Sequence, residues 1–349
     1  MPYPVSVPAA KRHHYVPEFV LRRFSEEPSN RKSLLWRHPT KGGKAERANP
    51  RNEAVIGHYN TFVFEDGRKD SFAEETLSHI DGAAAEAIKQ LADGGELDDE
   101  QRLMMAFFIV LAKSRTPLGR SWLRFTDETL ARTVLETQLS QAEGFAAMWN
   151  RATGEKLCND DAEAMRVELI GDLAEGRLVI ESPHSREVAL MFMALEKIAP
   201  IVAERLTWTV LRAPRDSQFI LGDTPLAIYD SAPRVADGGV GFLSSEHVET
   251  TLPLDPSCCL MLTPGDKLWG EAEAKPDVVE SINLRSYAWA QQAIYGSSQQ
   301  AVTDVRALVK RSRQQLARYL PKAGALWFGE ETDEGTRWER FTPTPKRGG

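Results

Sequence analysis

Hydrophobic residues recur at intervals of three and four along the middle of the chain, which is the spacing of one buried face of an α-helix. Such a face follows residue 71 and ends before the pair Gly94-Gly95, and its members are Leu77, Ile80, Ala84, Ile88 and Leu91. Ser71 and Glu74 have the spacing of a capping box. The pattern therefore predicts an amphipathic helix that begins near residue 71.

Further helices are predicted downstream. Asp98 or Asp99 caps the first of them, which is apolar nearly all round to about Ser114 and should therefore be buried. The sequence Arg115-Thr-Pro ends it, because proline cannot continue a helix. Helical spacing then returns over residues 118–150, 161–175 and 185–204.

The hydrophobic period changes after residue 205, where short segments rich in β-branched and aromatic residues alternate with turn residues. The predicted strands are TWTVLRA (207–213), QFILG (218–222), PLAIYD (225–230), VETTLPL (248–254) and CCLMLTP (258–264). Helical spacing resumes at about 276–295 and 299–319. The order predicts an α+β fold: a largely helical body, a mostly antiparallel β-sheet around residues 205–265, and two C-terminal helices.

We expect residues 1–320 to form one α+β domain without internal repeats. Its parts are an N-terminal arm with short elements (1–66), the helical region (71–204), the sheet (205–265) and the helices (276–320). Pro17 is expected at the first position of a short helix after the arm. Residues 321–349 are predicted to form a polar tail.

A net charge of -7 on 349 residues argues against a surface devoted to non-specific nucleic-acid binding. The longest apolar run, MMAFFIVLA from Met104, is shorter than the roughly 20 residues that cross a bilayer, so no membrane association is expected. Two of the three cysteines, Cys258 and Cys259, are adjacent, and no CxxC pair is present. A reducing cytoplasm is the location we expect.

The densest group of chemically active side chains is RHHYVPEFVLRRF, residues 12–24. Neighbouring side chains of an extended segment point to opposite faces, so His13 and His14 are not expected to bind one metal together. A helix N-terminus follows, whose free N–H groups favour an anion and lower the pKa of a nearby histidine. One imidazole can therefore act as general base or metal ligand. The alternative interpretation is a tether for the N-terminal arm.

Glu75 and His79 lie four residues apart on one face of a predicted helix. That spacing suits a metal pair, an acid–base pair or an ordinary surface ion pair. A site with mixed nitrogen and oxygen ligands favours Mn²⁺, Zn²⁺ or Mg²⁺, so a divalent metal ion is the cofactor to consider. The sequence contains no HExxH, GxSxG or P-loop motif.

Three more polar residues interrupt apolar elements. Arg115 ends the buried helix, where its charge either complements the helix dipole or clamps a phosphate or carboxylate. Asp223 directly follows the strand QFIL, which suits a catalytic carboxylate or an Asx turn. Asn283 lies in an otherwise core-like helix and can reach a buried polar cluster. With His13 and His14, these residues form the candidate catalytic set.

The opening HHYVPEFVLRRF resembles the signature of a mainly bacterial family known as domain of unknown function 4238. The resemblance continues in Arg-Thr-Pro at 115–117, in FILGDTP where relatives commonly have ITSDNP, in LPLDP at 252–256, and in AIYGSS after the Asn283 helix. It covers residues 10 to 300, about the whole predicted domain. It implies a shared fold and the same candidate residues, but no reaction.

Two functional hypotheses follow. The first is an intracellular hydrolase, such as a nuclease, that acts on a phosphodiester or another anionic substrate. In it an N-terminal histidine is base or metal ligand, Asp223 is its carboxylate partner and Arg115 binds the anion. The second is a non-enzymatic module that binds a ligand or partner, in phage defence or stress signalling, with the His-His segment as a structural clasp.

Overall fold

The computed structural model describes residues 12–63, 69–70, 72–154, 156, 158–231, 246–265, 269–321, 326–332 and 335–341. Its strands are β1 (Arg12–His14), β2 (Leu35–Pro39), β3 (Glu46–Ala48), β4 (Val55–Gly57), β5 (Phe62–Val63), β6 (Lys69–Asp70), β7 (Leu206–Arg212), β8 (Leu221–Gly222), β9 (Ala227–Asp230), β10 (Val248–Asp255), β11 (Cys258–Pro264), β12 (Trp269–Glu273), β13 (Ala293–Gly296), β14 (Leu326–Thr332) and β15 (Gly335–Phe341). Its helices are α1 (Glu18–Arg23), α2 (Phe72–Ala92), α3 (Asp99–Ser114), α4 (Pro117–Leu139), α5 (Ala142–Thr153), α6 (Asn159–Glu175), α7 (His184–Arg205), α8 (Pro276–Trp289), α9 (Gln299–Arg311) and α10 (Arg313–Tyr319).

These elements form two compact units, one of residues 1–120 and 188–324 and the other of residues 121–187 and 325–349. The expectation of a single domain over residues 1–320 stays a prediction. The predicted α+β fold class is confirmed, because helices predominate and most strand pairs are antiparallel.

In the first unit, β1 pairs antiparallel with β4, so that His13 lies opposite Ile56 and His14 opposite Val55. The helix α1 follows directly, and Pro17 is its N-cap residue, one position before the predicted one. Val20 and Leu21 of this helix are buried. The histidine segment is therefore a paired strand fixed to the core through α1. The arm predicted before residue 12 lies outside the described residues.

The helices α2 and α3 of the first unit follow the predicted pattern. Asp98 caps α3, since its side chain accepts a hydrogen bond from the Gln101 amide and the Gln101 side chain accepts one from the Asp98 amide. The central residues of α3 are buried, as expected for a helix that is apolar nearly all round. Ser71, the predicted cap of α2, lies outside the described residues.

The larger sheet of the first unit has five strands in the order β12-β7-β11-β10-β9. Only the β12–β7 pair is parallel, so the predicted antiparallel sheet around residues 205–265 is confirmed. Trp208 on β7 is fully buried, and its indole N–H donates to the carbonyl of Val202 at 3.0 Å. Arg102 of α3 covers the same ring at 4.3 Å.

A second sheet of four strands, in the order β3-β2-β13-β8, was not predicted. Its centre is β13, which pairs with β2 and β8. The predicted helix over 276–295 was therefore too long: α8 ends at Trp289, and the chain turns into β13. The predicted strand over 218–222 was also too long, because only Leu221–Gly222 pairs as β8.

Three more predicted elements need correction. The helical region 118–150 is two helices, α4 and α5, that are separated at Ser140 and Gln141. The helix predicted over 299–319 is interrupted at Ser312, so α9 and α10 replace it. The predicted polar tail contains the antiparallel hairpin of β14 and β15, whose register places Leu326 opposite Phe341.

The second unit has its own apolar core, which consists of Leu139, Phe145, Ala162 and Leu173. Gly154 and Gly176 end α5 and α6 in the left-handed conformation that favours glycine. No helix among the described residues combines the length and apolar character needed to span a bilayer.

The turn from α3 to α4 requires a glycine at position 119. Thr116 caps α4, because its hydroxyl accepts a hydrogen bond from the Gly119 amide at 3.1 Å, and Pro117 occupies the first helical position. A Cβ atom at residue 119 would lie 2.0 Å from the carbonyl oxygen of Lys113. The backbone at residue 119 therefore lies too close to the backbone of Lys113 for residue 119 to carry a side chain.

Gly119→Ala should lower the free energy of unfolding by roughly 2–3 kcal/mol, because the clash is with main chain that cannot rotate away. Gly82→Ala on α2 is the matched control, since a Cβ there meets nothing within 4 Å. It should raise stability by about 0.5–1 kcal/mol through its helix propensity. Denaturant unfolding of both variants checks this, and equal effects would contradict the close approach.

Candidate functional site

His13 is held on both of its ring nitrogens. Its Nδ1 accepts a hydrogen bond from the Asn60 amide at 2.7 Å, and its Nε2 lies 2.6 Å from Oε1 of Glu74 on α2. A backbone amide can only donate, so Nδ1 carries the lone pair and the hydrogen sits on Nε2, facing the carboxylate. The imidazole is 5% exposed. His13 therefore fastens β1 to α2 and to the loop after β4.

The same contact extends to α4. The side-chain oxygen of Asn60 accepts a hydrogen bond from Nη2 of Arg120 at 3.1 Å, and the Arg120 guanidinium lies over the ring of Tyr59 at 5.2 Å. One chain of contacts thus runs from α2 through β1 and the loop after β4 to α4. Its members are Glu74, His13, Asn60 and Arg120. Its role is to hold the N-terminal strand in place.

His14 lies on the opposite face of β1 and is bonded differently. The carbonyls of Pro50 and Arg51 accept hydrogen bonds from its ring, while Nε2 is buried without a hydrogen-bond partner. Nδ1 is therefore the donor, and Nε2 keeps its lone pair. Burial lowers the pKa of His14, and the nearby carboxylate of Glu18 offsets part of that effect. At neutral pH, the ring is an uncharged base.

Left-handed backbone brackets the strand that β1 pairs with. Ala54 and His58, on either side of β4, both have φ near 53° although neither is glycine. The Ala54 carbonyl accepts a hydrogen bond from the Tyr15 amide at 2.8 Å. Such conformations cost about 1 kcal/mol or more each and concentrate at functional sites. Here they shape the loop that carries the carbonyl partners of His14.

Arg115 is among the largest fully buried side chains, at 1% exposure. Its Nη1 donates to both carboxylate oxygens of Asp81, at 2.9 and 3.1 Å. Its Nε and Nη2 are buried without a hydrogen-bond partner. The guanidinium also lies 5.3 Å from the ring centre of Phe108, which packs against Phe19. One edge of this desolvated cation, Nε with Nη2, therefore has unused hydrogen-bond donors, and we call it the open edge.

Asp81 connects the two groups. Burial raises the pKa of this carboxyl, and the charge and hydrogen bond of Arg115, together with the charge of His14, offset part of the rise. Arg115, and His14 whenever its ring is protonated, thus act on one carboxylate. We call His14, Asp81 and Arg115 the Arg115 cluster. It combines a base, a carboxyl and an open guanidinium edge, which is a set suited to an anionic ligand.

Asp223 is bonded to main chain, and no hydrogen bond or ion pair among the described residues joins it to the residues of this cluster. Its two oxygens accept hydrogen bonds from the amides of Gln291 at 2.7 Å and Gln292 at 3.0 Å. The Tyr15 hydroxyl approaches one of them at 3.4 Å. Burial raises the pKa of Asp223 to about 6. This carboxylate fixes the turn between α8 and β13.

Asn283 has a similar role. Its side-chain amide donates to the carbonyl of Gln218 at 2.8 Å, and its oxygen accepts from the amide of Ile220 at 2.9 Å. The side chain thereby pairs with the segment before β8 as another strand would. This contact explains why only the last two residues of the predicted strand QFILG belong to a sheet.

Glu75 and His79 both lie exposed on α2. No group of three or more His, Cys, Asp or Glu side chains placed to hold a metal ion occurs in the described parts of the chain. The two residues stay candidates for a metal pair on their helical spacing alone.

Asp81 was not predicted as a site residue, although it lies on the same helix as the candidates Glu75 and His79. Its position between Ile80 and Gly82 gives no local signal, because a polar residue there fits an ordinary solvated helix face. Its partner Arg115 is 34 residues away. The one available signal was the polarity of Arg115 itself, since a buried arginine needs a carboxylate nearby.

His13→Ala should lower the free energy of unfolding by about 2–4 kcal/mol, because it removes the acceptor of the buried Asn60 amide and the imidazole that contacts the Glu74 carboxylate. His14→Ala removes bonds to carbonyls only and should cost about 1 kcal/mol. Thermal and denaturant unfolding distinguish the two. Equal losses would mean that both histidines tether the strand.

The stability of the chain should fall as the pH rises from about 4 to 6. The pKa of Asp223 is raised from 3.8 to about 6, so the folded protein binds more protons than the unfolded chain in this range. Measured against Asp223→Asn, the wild type should lose roughly 2–3 kcal/mol of unfolding free energy across it. Parallel pH profiles of the two proteins would show that Asp223 titrates normally.

Comparison with known proteins gives one result. No curated protein matches the chain, and no solved structure matches it. The family model described as "Protein of unknown function (DUF4238)" matches residues 12–300, a range that contains β1, α2, α3 and the whole Arg115 cluster. The match covers most of the chain and agrees with the resemblance of its N-terminal motif. The chain therefore belongs to the DUF4238 family.

Proposed function

We propose that the chain is a hydrolase that acts on a phosphodiester or another anionic substrate, with Arg115 as the anion-binding residue and His14 as the general base. The observation that carries the proposal is the open edge of Arg115: two buried guanidinium nitrogens have no hydrogen-bond partner. Buried polar groups without partners are uncommon in folded proteins, and burying an unsatisfied cation is costly. An anionic group of the substrate would satisfy both nitrogens.

His14 supplies the base. Its Nε2 has a free lone pair, and burial keeps its pKa below the ordinary value, so the ring is uncharged at neutral pH. Nε2 accepts a proton from a water molecule, whose oxygen bonds to the phosphorus as the ester P–O bond breaks. The imidazolium then gives its proton to solvent, and the leaving oxygen takes a proton from a water molecule on its own side. The carbonyls of Pro50 and Arg51 orient the ring and stabilise its charged form.

Asp81 replaces Asp223 as the carboxylate of the proposed site. Both oxygens of Asp223 accept backbone amide bonds, whereas Asp81 bonds the guanidinium directly. Asp81 fixes the orientation of Arg115 through Nη1 and leaves the opposite edge for the substrate. Its role is positioning, since it acts through Arg115.

A second candidate is a binding module without chemistry. It is supported by His13 and Asn283, nominated from the sequence for catalysis, because their polar atoms are already bonded to other parts of the fold. In this case the Arg115 cluster binds an anionic ligand and His14 contributes only a hydrogen bond. The two candidates share the ligand site and differ in whether His14 transfers a proton.

A panel of phosphodiester and phosphomonoester substrates, assayed with and without divalent metal ions, tests the first candidate. His14→Ala and Arg115→Lys should each lower kcat/KM by about 100-fold or more, as expected for a general base and for a bidentate anion contact. His247→Ala, an exposed histidine outside the cluster, should leave activity unchanged.

Stability must be measured on the same variants, because a folding defect would imitate a loss of catalysis. Lost turnover with an unfolding free energy within about 1 kcal/mol of wild type supports the hydrolase. Turnover that survives His14→Ala would contradict the base assignment. Absence of turnover on every substrate, with an anion still bound at Arg115, would favour the binding module.

A further inference from the structure

Two arginines of the first unit, the buried Arg115 and the partly buried Arg212, differ in how their nitrogens are bonded. Arg212 uses all three: Nε contacts Glu271 at 2.7 Å, and Nη1 and Nη2 donate to the carbonyls of Ala92 and Leu91 at 2.6 and 2.8 Å. Arg115 uses only Nη1. In Arg212, groups of the protein itself accept hydrogen bonds from every guanidinium nitrogen. In Arg115, they accept hydrogen bonds from one nitrogen only.

The open edge of Arg115 has a defined shape. Nε–H and Nη2–H point in parallel from one side of the planar guanidinium, at the separation of two oxygens in one carboxyl, phosphoryl or sulfuryl group. Asp81 occupies the remaining position with both of its oxygens on Nη1. The guanidinium can therefore hold Asp81 and one oxyanion at the same time, each on a different part of the group.

That arrangement creates an excess of negative charge. Arg115 carries one positive charge, which Asp81 already balances when it is ionised, and the His14 ring beside them is neutral. A bound anion would then leave an uncompensated charge in a buried place, which is costly. A proton on Asp81 removes one unit of this negative charge and still leaves an oxygen to accept from Nη1.

Few charged groups act on Asp81. Among the described residues these are Arg115 from the end of α3 and His14 from β1. His14 is in turn influenced by Glu18 of α1 and by Arg12 of its own strand. Arg115, and His14 when it is protonated, favour the ionised carboxyl, yet burial outweighs them, and the pKa of Asp81 is raised in the absence of any ligand.

We propose that the Nε–Nη2 edge of Arg115 binds one oxyanion through two oxygens, and that each binding event takes up one proton at Asp81. The inference rests on the anion site of the proposed function, but it does not require that a bond is hydrolysed. It makes ligand binding by this chain dependent on pH through a group that does not touch the ligand.

The direction of the pH dependence follows from charge. A bound anion next to Asp81 raises the pKa of this carboxyl further, so the complex holds its proton to a higher pH than the free protein does. Affinity should therefore be greatest at low pH. It should weaken as the pH rises from the pKa of Asp81 in the free protein to its higher pKa in the complex, by at most about tenfold per pH unit for one proton. Above the pKa of the complex, the number of protons taken up returns to zero.

Titration calorimetry with sodium sulfate tests the proposal on the unaltered protein. Sulfate stays a dianion throughout the range of interest, so its own ionisation adds no proton. Titrations between about pH 5 and 7 in two buffers of different ionisation enthalpy give the number of protons taken up. We expect this number to reach about one per sulfate. Sulfate that does not bind, or that binds without proton uptake, would overturn the proposal.

Three variants locate the effect. Arg115→Lys keeps a cation beside Asp81 but lacks the two-donor edge, and should weaken sulfate binding tenfold or more. Arg212→Lys, in which the fully bonded arginine is changed, is the matched control and should bind sulfate as the wild type does. Asp81→Asn should still bind sulfate, with neither proton uptake nor pH dependence. Uptake that persists in Asp81→Asn would assign the proton elsewhere and overturn the role of Asp81.

The outcome can be separated from that of the hydrolase assay. Sulfate binding with proton uptake and no turnover on any substrate would leave this inference standing and reject the hydrolase. Turnover that depends on His14 and Arg115, but sulfate binding without a proton, would reject this inference alone. Because the proton count needs no variant, a folding defect in Asp81→Asn does not affect the decision.

Discussion

A buried guanidinium must have its charge balanced and its donors bonded, and the position of Arg115 imposes this requirement on the whole site. Arg115 follows the last residue of α3, a helix whose central residues are buried, so the side chain cannot reach solvent by a small rotation. Thr116, Pro117 and Gly119 begin the next helix immediately, and the close approach at Gly119 fixes the turn. The arginine is therefore held in the interior. Asp81 accepts hydrogen bonds from Nη1 only, and Nε and Nη2 have no hydrogen-bond partner.

The pairing of β1 with β4 explains how one motif serves two purposes. Successive residues of a strand point to opposite faces, so His13 and His14 cannot share an environment. His13 has a backbone donor and a carboxylate, which use both nitrogens. His14 has carbonyl partners on one nitrogen only. The two interpretations of the motif, tether and chemistry, thus apply to different residues of the same strand.

Much of the fold could be predicted from local pattern. The α3 cap at Asp98 and four of the five strands of the larger sheet depend on neighbours in sequence and were predicted, whereas β12 was not. The four-stranded sheet was missed because β8 is two residues long and its partner β13 lies about 70 positions later in a segment with helical spacing. Short strands are stabilised by their partners, and the period of a single segment does not contain that information.

Only part of the site could be predicted, because the local sequence marks some of its residues and not others. His14 and Arg115 were recognisable because a strongly polar side chain among apolar neighbours is unusual. Asp81 was not recognisable, since a polar residue is ordinary on a half-exposed helix. Asp223 was assigned to chemistry on its position after a strand, but its two acceptor oxygens are what the turn at Gln291 and Gln292 requires. An aspartate directly after a strand is predicted to have a rigidly held carboxylate. Its position in the sequence does not predict which groups will donate hydrogen bonds to it.

Whether a polar group can act on a ligand depends on the bonds it already has. His13, Asn283 and Asp223 accept backbone amide hydrogen bonds, so any new bond at those atoms would first break one that holds the fold together. His14 keeps a lone pair on Nε2 and Arg115 keeps two donors, and these atoms are buried, where a hydrogen bond is electrostatically stronger than in water. Unused bonding capacity in a dry place is therefore what separates the Arg115 cluster from the other polar residues of the motif. An oxyanion that accepts from both free donors of Arg115 would use this capacity.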